Sequence, residues 1–360
     1  MSDLTQRRES LATAAEPATA GYRRRALRRV LLIAGVTVLL LLAWLVDIMT
    51  GPAMLTIREV LGAIFHPAGA SALNQTVIWT FRLPTALFAV LIGAALGLAG
   101  AEMQTILDNP LASPYTLGVS AAASFGAALA IVLGCASLPV FGIMAIPASA
   151  FVFAMLSSLV LWGVGRFKRG ATDPIILCGV ALLFLFNSAL AFLQYVASEN
   201  QLQAIVFWMF GSLQGATWLK LGVLGCTVLL AVPILASQAW KLTALRFGDD
   251  RARSMGINVQ RLRLQTMLLT ALLTATAVCF AGAIGFIGLV APHLARIMVG
   301  EDQRYFMPLS ALNGALLLSL AAIASKLVIP GAVFPVGIAT SFIGVPFFVV
   351  MVLGKKRSYW

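Results

Sequence analysis

Residues 282–296 read GAIGFIGLVAPHLAR. Three glycines (Gly282, Gly285 and Gly288) precede a Pro292–His293 pair and Arg296, all within an apolar stretch. In lipid, helix-breaking residues free backbone groups that hydrocarbon cannot satisfy. They are tolerated only inside a helix bundle or beside a water-filled path. The stretch therefore predicts a membrane-spanning chain in which this segment lies in the interior. The spacing predicts a non-helical link over Gly285–Gly288. Pro292 then falls in the first turn of a short helix, where its missing N–H is harmless. Arg296 falls near the inner end of that helix, within reach of head groups or carbonyls. His293 stands without a second ligand and reads as hydrogen-bonded within the bundle rather than as a substrate contact.

The rest of the chain agrees with a membrane setting. Of 360 residues, 60% are hydrophobic and 11% charged, and the mean hydropathy is +0.96. A soluble domain of this length could not solvate such a surface. A spanning helix needs about 20 mostly apolar residues. Runs of that kind lie near 30–48, 80–104, 116–134, 139–163, 174–197, 218–240, 264–284, 288–299, 306–327 and 335–353. The expected fold is an all-α polytopic membrane protein with about ten transmembrane helices, several short or broken. The run at 288–299 is too short to cross alone. Residues 1–28 are polar and basic and read as a disordered cytoplasmic tail. Residues 29–354 form one transmembrane domain, and 355–360 a second cytoplasmic tail. The apolar run after Arg29 is longer than a signal-peptide core and is expected to stay as a membrane helix.

The net charge of +12 needs no nucleic acid to explain it. Of the 25 Lys and Arg side chains, all but Arg58, Arg82, Lys220 and Lys326 fall in segments that share one side of the membrane when the N-terminus is inside. That bias orients the chain with both termini in the cytoplasm. The four cysteines are scattered through apolar runs without metal or disulfide spacing, and read as small core hydrophobes.

Two outer segments read as short helices, LTIREVLGAIF at 55–65, taken as interfacial, and one within ENQLQAIVFWMFGSLQGAT at 199–217. The long polar stretch KLTALRFGDDRARSMGINVQRLR, residues 241–263, is different. It holds two helical patterns, Leu242–Met255 and Val259–Arg263, separated by Gly256 and Asn258. It is either a solvated loop or a docking surface for a cytoplasmic partner.

Enzyme chemistry is not legible. The sequence holds no HExxH, GxSxG, CxxC or GxxxxGK[ST] pattern, so ATP is not bound by a phosphate loop of this chain. Ion-driven carriers usually bury acidic residues in their spans. Here only Glu102 lies well within an apolar stretch. A transporter powered by a separate subunit fits better.

The ordered motifs FRLP (81–84), GAALGLAGAEMQ (93–104), NPLASPYTLGVSAA (109–122), FWMFGSL (207–213), GDDRARSMGI (248–257), GAIGFIGLVAPHLAR (282–296) and PVGIATSFIGVPFF (335–348) resemble the FecCD-type permeases. These are the membrane subunits of ABC importers for ferric siderophores, heme and cobalamin. The likeness covers roughly 75–354. It implies a type II ABC importer permease architecture and a transport role without catalysis. It also implies a second permease subunit, identical or related, and a binding protein that delivers substrate from outside. Two cytoplasmic ATPase subunits would carry ATP and Mg, and no cofactor or metal would belong to this chain.

The resemblance also assigns residues. The segment around Gly248, Asp249, Asp250, Arg251, Arg253, Met255, Gly256 and Asn258 would dock on the ATPase. Arg82 and Lys326, helped by Arg58, would meet acidic residues of the binding protein. Lys326 stands where the family has an arginine, Thr85 replaces the second arginine of the RLPR pattern, and Ala322 replaces an acidic residue. Lys lacks the bidentate fork of Arg, so docking is expected to be weaker or differently arranged. The inner gate would involve Asn109, Leu111 and Thr172, with Asn109 also able to cap the broken helix. Gly285, Gly288, Pro292, His293 and Arg296 would form the hallmark junction.

Overall fold

The computed structural model describes residues 2–51, 55–66, 71–135, 142–168, 170–328 and 334–353. Among these the regular structure is helical, with no strand. Helix α1 (Ser2–Met49) carries the first span and runs back through the polar tail. Of the tail expected to be disordered at 1–28, the described part from Ser2 lies in this helix, in keeping with its frequent Ala and Arg, good helix formers. The tail expected at 355–360 lies outside the described residues.

Helix α2 (Ile57–Phe65) is short and lies within the stretch where a short helix was expected. Its N-cap Thr56 accepts the N–H of Glu59, and the Glu59 carboxylate accepts the N–H of Thr56 in return. The chain then runs without a break through α3 (Ala72–Thr76), a π-helical turn (Val77–Arg82) and α4 (Leu83–Ile106). The wide turn sits just before Pro84, which lacks an N–H and would crowd the carbonyl four residues back. Widening the helix there absorbs the clash. Trp79 in this turn donates to the carbonyl of Ala63 at 3.0 Å and accepts from the Trp218 indole at 3.1 Å.

The remaining elements are α5 (Val119–Val132), α6 (Gly142–Phe167), α7 (Thr172–Val196), α8 (Glu199–Met209) and α9 (Trp218–Ser237). They are followed by α10 (Ala239–Leu245), α11 (Asp249–Ser254), α12 (Val259–Ala281), α13 (Ile287–Val299), α14 (Gln303–Leu327) and α15 (Val336–Leu353). Among the described residues, 7 helices are long and apolar enough to cross a membrane. Three shorter apolar helices, Val119–Val132, Ile287–Val299 and Val336–Val350, bring the set to the number of runs in the sequence. Several short or broken helices were expected, α13 among them as the run too short to cross alone. Helix α5 is also short, because irregular backbone over 107–118 takes up the length and ends at Gly118, whose φ is +80°.

Burial divides the helices into two kinds. The windows in α3–α4 and α12 are 72% buried and that in α14 is 61% buried, whereas those in α1, α6, α7 and α9 are 22–28% buried. The central helices carry the buried polar groups Glu102, Gln104, Thr105, Thr266, Thr270, Asn313 and Ser319. The peripheral ones expose Leu, Val and Phe, as lipid-facing surfaces require. The centre closes through small residues. A Cβ on Gly97 would meet the Ser310 carbonyl and, at 3.1 Å, the α-carbon of Gly314, so α4 and α14 cross backbone to backbone.

Candidate functional site

The junction is built by four separated stretches that meet. Helix α12 ends at Gly282 (φ +76°), and a Cβ there would fall on the Trp208 carbonyl. Ser212 donates its backbone N–H to Ala281 at 2.8 Å, and Gly337 donates to the Phe210 carbonyl at 3.0 Å. Tyr115 is the nearest side chain to Gly285. Phe286 has φ +65°, a left-handed backbone that a phenylalanine adopts only under constraint. Its ring occupies the space left by Gly344, where any Cβ would collide with it. Together these stretches enclose a cavity of about 350 Å³, whose lining includes Tyr115, Thr116, Phe210, Phe286 and Ser341.

Pro292 sits differently from the expectation. Helix α13 begins at Ile287, so Pro292 lies inside the helix rather than in its first turn. Its missing N–H leaves the Gly288 carbonyl without its intrahelical donor. That oxygen lies against the α-carbon of Gly100, where a Cβ would land on it. A weak Cα–H···O contact there partly offsets the lost bond. His293 is half-buried, with its ring edge-on to Phe347 at 6.1 Å between centroids.

Arg296 does not reach for head groups. It donates to the Gln104 side chain at 3.0 Å, pairs with Glu301 at 3.0 Å and stacks over the Phe306 ring. Glu301 is shared with Arg246, whose guanidinium also pairs with Asp108 at 2.6 Å. This network ties the inner ends of α4, α10 and α13 together. Next to it, Asp302 caps α14 and accepts from the backbone and side chain of Arg304. The side-chain hydrogen bond from Arg304, the largest cause, holds the Asp302 carboxyl below the ordinary carboxylate value of 3.8. A lowered folded-state value means stabilisation that is present above the ordinary value and lost as pH falls through the folded one. We expect the thermal midpoint gap between the wild type and Asp302→Ala to be constant near neutrality and to close in acid. A gap indifferent to pH would remove this role.

The 241–263 segment forms a small unit packed on the core through Leu242, Leu245, Ala252 and Leu262. The first expected helical pattern is broken at Gly248 (φ +97°), giving α10 and α11. The second is not a separate helix but the first turns of α12, after a left-handed Gly256 (φ +80°) and with Asn258 capping the Arg261 N–H at 2.9 Å. Asp250, Arg251, Arg253 and Met255 are exposed, while Ala252 is fully buried and anchors α11. Sequence reading missed the residue that holds this unit in place. Arg263, buried, donates to the Ile106 carbonyl at 2.6 Å and the Gly170 carbonyl at 2.5 Å, and pairs with Asp249 at 3.1 Å. It therefore joins α11 to the two stretches that carry the candidate gate. Within these, the Asn109 side chain accepts the Leu111 N–H at 2.9 Å, closing an Asx turn. Leu111 is exposed, and Thr172 opens α7. A basic residue at the very end of the polar stretch, against the apolar run from 264, was the only available signal.

Two of the cations assigned to binding-protein docking, Arg82 and Lys326, turn toward the end of α1. Arg82 is 7% exposed and donates to the carbonyls of Ile48 at 2.8 Å and Met49 at 2.9 Å, capping the end of α1. Lys326 donates to the Asp47 carbonyl at 2.9 Å and pairs with its fully buried carboxylate at 2.7 Å. Arg58 on α2 is exposed. Removing one partner of a buried pair costs about 3 kcal/mol or more, because the other charge is left uncompensated. We expect Lys326→Met to lower the thermal midpoint and Asp47→Asn in the same chain to recover most of it. A Lys326→Met protein of wild-type stability would show that the pair does not hold α1.

Comparison with known proteins agrees with this geometry. The model of the FecCD transport family matches residues 39–354. The hemin transport system permease HmuU of Yersinia pestis is 36% identical, over 78% of this chain and 84% of its own length. The vitamin B12 import system permease BtuC of Vibrio cholerae is 36% identical, over 80% and 86%. The iron(3+)-hydroxamate import system permease FhuB of Bacillus subtilis is 37% identical, over 91% and 84%. An inward-facing structure assigned to a metal-chelate type ABC transporter superposes with a TM-score of 0.80 at 31% identity, covering 90% of this chain and 99% of that one. With its spans, its glycine junction and its inner unit in the family's order, the chain belongs to the FecCD transport family and is a cell-membrane permease of an ABC importer of the iron-chelate, heme or vitamin B12 type.

Proposed function

We propose that this chain is one of two permeases standing side by side that pass a ferric siderophore from an external binding protein to the cytoplasm by alternating access. The observation that carries the substrate is the junction cavity. Its lining combines hydroxyls from Tyr115, Thr116 and Ser341 with the aromatic faces of Phe210 and Phe286. A ferric siderophore encloses its iron in organic donors and presents amide, hydroxamate or catecholate edges, which hydroxyls and ring faces accommodate. The relatives named for hemin and vitamin B12 mark the alternative substrates.

Two ATPase subunits carrying ATP and Mg would supply the energy. They would dock on the exposed face of α11, from Gly248 to Asn258. Both termini would lie in the cytoplasm. Outside, exposed Arg58 is the first candidate contact for an acidic binding protein, while Arg82 and Lys326 would have to leave the end of α1 to take part. Asn109, Leu111 and Thr172 would form the inner gate, through the stretches that Arg263 ties to α11.

The test is reconstitution in proteoliposomes with the ATPase and binding protein that co-purify from native membranes. Expected is ATP-dependent uptake of a ferric siderophore, competed by the same chelate and not by hemin or cobalamin. ATP-driven uptake of hemin alone would move the substrate and keep the permease. Uptake without any ATPase, abolished by Glu102→Gln, would replace the reading with an ion-coupled carrier.

A further inference from the structure

The inner-face cations fall into two groups. Arg246, Arg253, Arg263, Arg296 and Arg304 all pair with carboxylates of the chain. Several others, Lys168 and Arg251 among them, form no ion pair among the described residues, and of these Arg166, Lys241 and Arg261 border two adjoining clefts. The larger, of about 620 Å³, lies between the inner ends of α6 and α12. Its polar edge is Arg166, Gln260 and Arg261, and its wall is Trp162, Leu264 and Leu268. The smaller, of about 380 Å³, shares Arg261 and adds Lys241. The Arg166 guanidinium lies over the Trp162 ring at 5.6 Å, and its backbone carbonyl accepts from the Gln260 side chain at 3.3 Å.

We propose that this cleft is a binding site for an anionic phospholipid of the inner leaflet. Both halves of such a lipid find a counterpart. The cations lack counter-charge from the chain, and a phosphate would supply it. The indole and the two leucines stand on helices that enter the membrane here, so acyl chains would continue along the same wall. A soluble anion would use only the polar edge. An acidic face of an ATPase would leave the half-buried Trp162 and Leu268 without an apolar partner. Arg is also the better cation at this depth, because it is weakly hydrated and stacks on an indole. The inference does not depend on which substrate is carried.

The test uses the full-length protein in zwitterionic nanodiscs, titrated with phosphatidylglycerol or phosphatidylcholine, and bound lipid is counted by native mass spectrometry. Each cation near an anionic headgroup contributes about a fivefold gain in affinity, so Arg166→Gln with Arg261→Gln is expected to weaken phosphatidylglycerol binding by roughly thirtyfold. The double Lys variant should retain most of it, and phosphatidylcholine should not distinguish the proteins. These side chains reach solvent, so thermal midpoints should stay level. Equal phosphatidylglycerol binding by wild type and Gln variant would overturn the site. Displacement of the lipid by inorganic phosphate would assign the edge to a free anion instead. Loss of the ATPase subunit from the purified complex, with lipid binding unchanged, would assign the cleft to that subunit.

Discussion

Gly97→Leu and Gly314→Leu each leave the chain unable to accumulate as a folded membrane protein. Helices α4 and α14 approach so closely that a Cβ on Gly314 would fall on the Gly93 carbonyl and lie 3.0 Å from the α-carbon of Gly97. The listener across the interface is backbone, not the end of a flexible side chain, so the helices must separate. Overpacking a tight core costs about 1–3 kcal/mol even where side chains yield, and here the central crossing of the bundle opens. In lipid no hydrophobic effect compensates, because association rests on close packing. The control is Gly222→Leu on α9, where a Cβ meets nothing within 4 Å. That variant should accumulate and unfold like the wild type. The measurement is the yield of monodisperse protein in mild detergent and its thermal midpoint. A Gly97→Leu protein with a wild-type midpoint would show that the crossing is not as described.

Arg263→Ala uncouples transport from ATP hydrolysis. The guanidinium satisfies the carbonyls of Ile106 and Gly170 and pairs with Asp249 on α11. Without it α11 loses its link to the end of α4 and to the loop before α7, while its exposed face remains. The ATPase subunit should therefore still bind, and its hydrolysis should respond to loaded binding protein about tenfold less than in the wild type, the range of an ordinary coupling energy. Two buried carbonyls are also left without donors, at about 1–3 kcal/mol each, so the thermal midpoint falls. Arg263→Lys separates the two effects. Lysine keeps the charge but not the planar fork, so it should recover stability better than coupling. If substrate-stimulated hydrolysis in Arg263→Ala matched the wild type, α11 would not transmit through this residue.

Other positions divide the same way. The non-helical link expected at Gly285–Gly288 lies instead at 282–286, so Gly288 is in the first turn of α13, and Pro292 enters the helix interior because Gly288 and Gly100 together accommodate the carbonyl it leaves unpaired. Arg296, read as a helix-end cation within reach of head groups or carbonyls, is captured by Gln104 and Glu301, the first far away in the chain and the second just beyond the helix. Arg82 and Lys326 both converge on the end of α1, and Lys326 and Asp47 are 279 positions apart.

Local sequence was enough for the membrane setting, the number of apolar runs, the short helix α2, the polar unit at 241–263 and the family. Each depends on local composition or on contiguous residues, and hydrophobic length and helix-breaking chemistry act over one or two turns. Only the tertiary structure decided which cations are free and which are spent, that four distant stretches enclose one cavity, and that Arg263 carries the inner unit. A charge at a span end looks the same in sequence whether it faces water, a lipid phosphate or a buried carboxylate. Its partner is set by which helix end lies beside it in space, and that follows from glycine-permitted crossings between helices far apart in the chain.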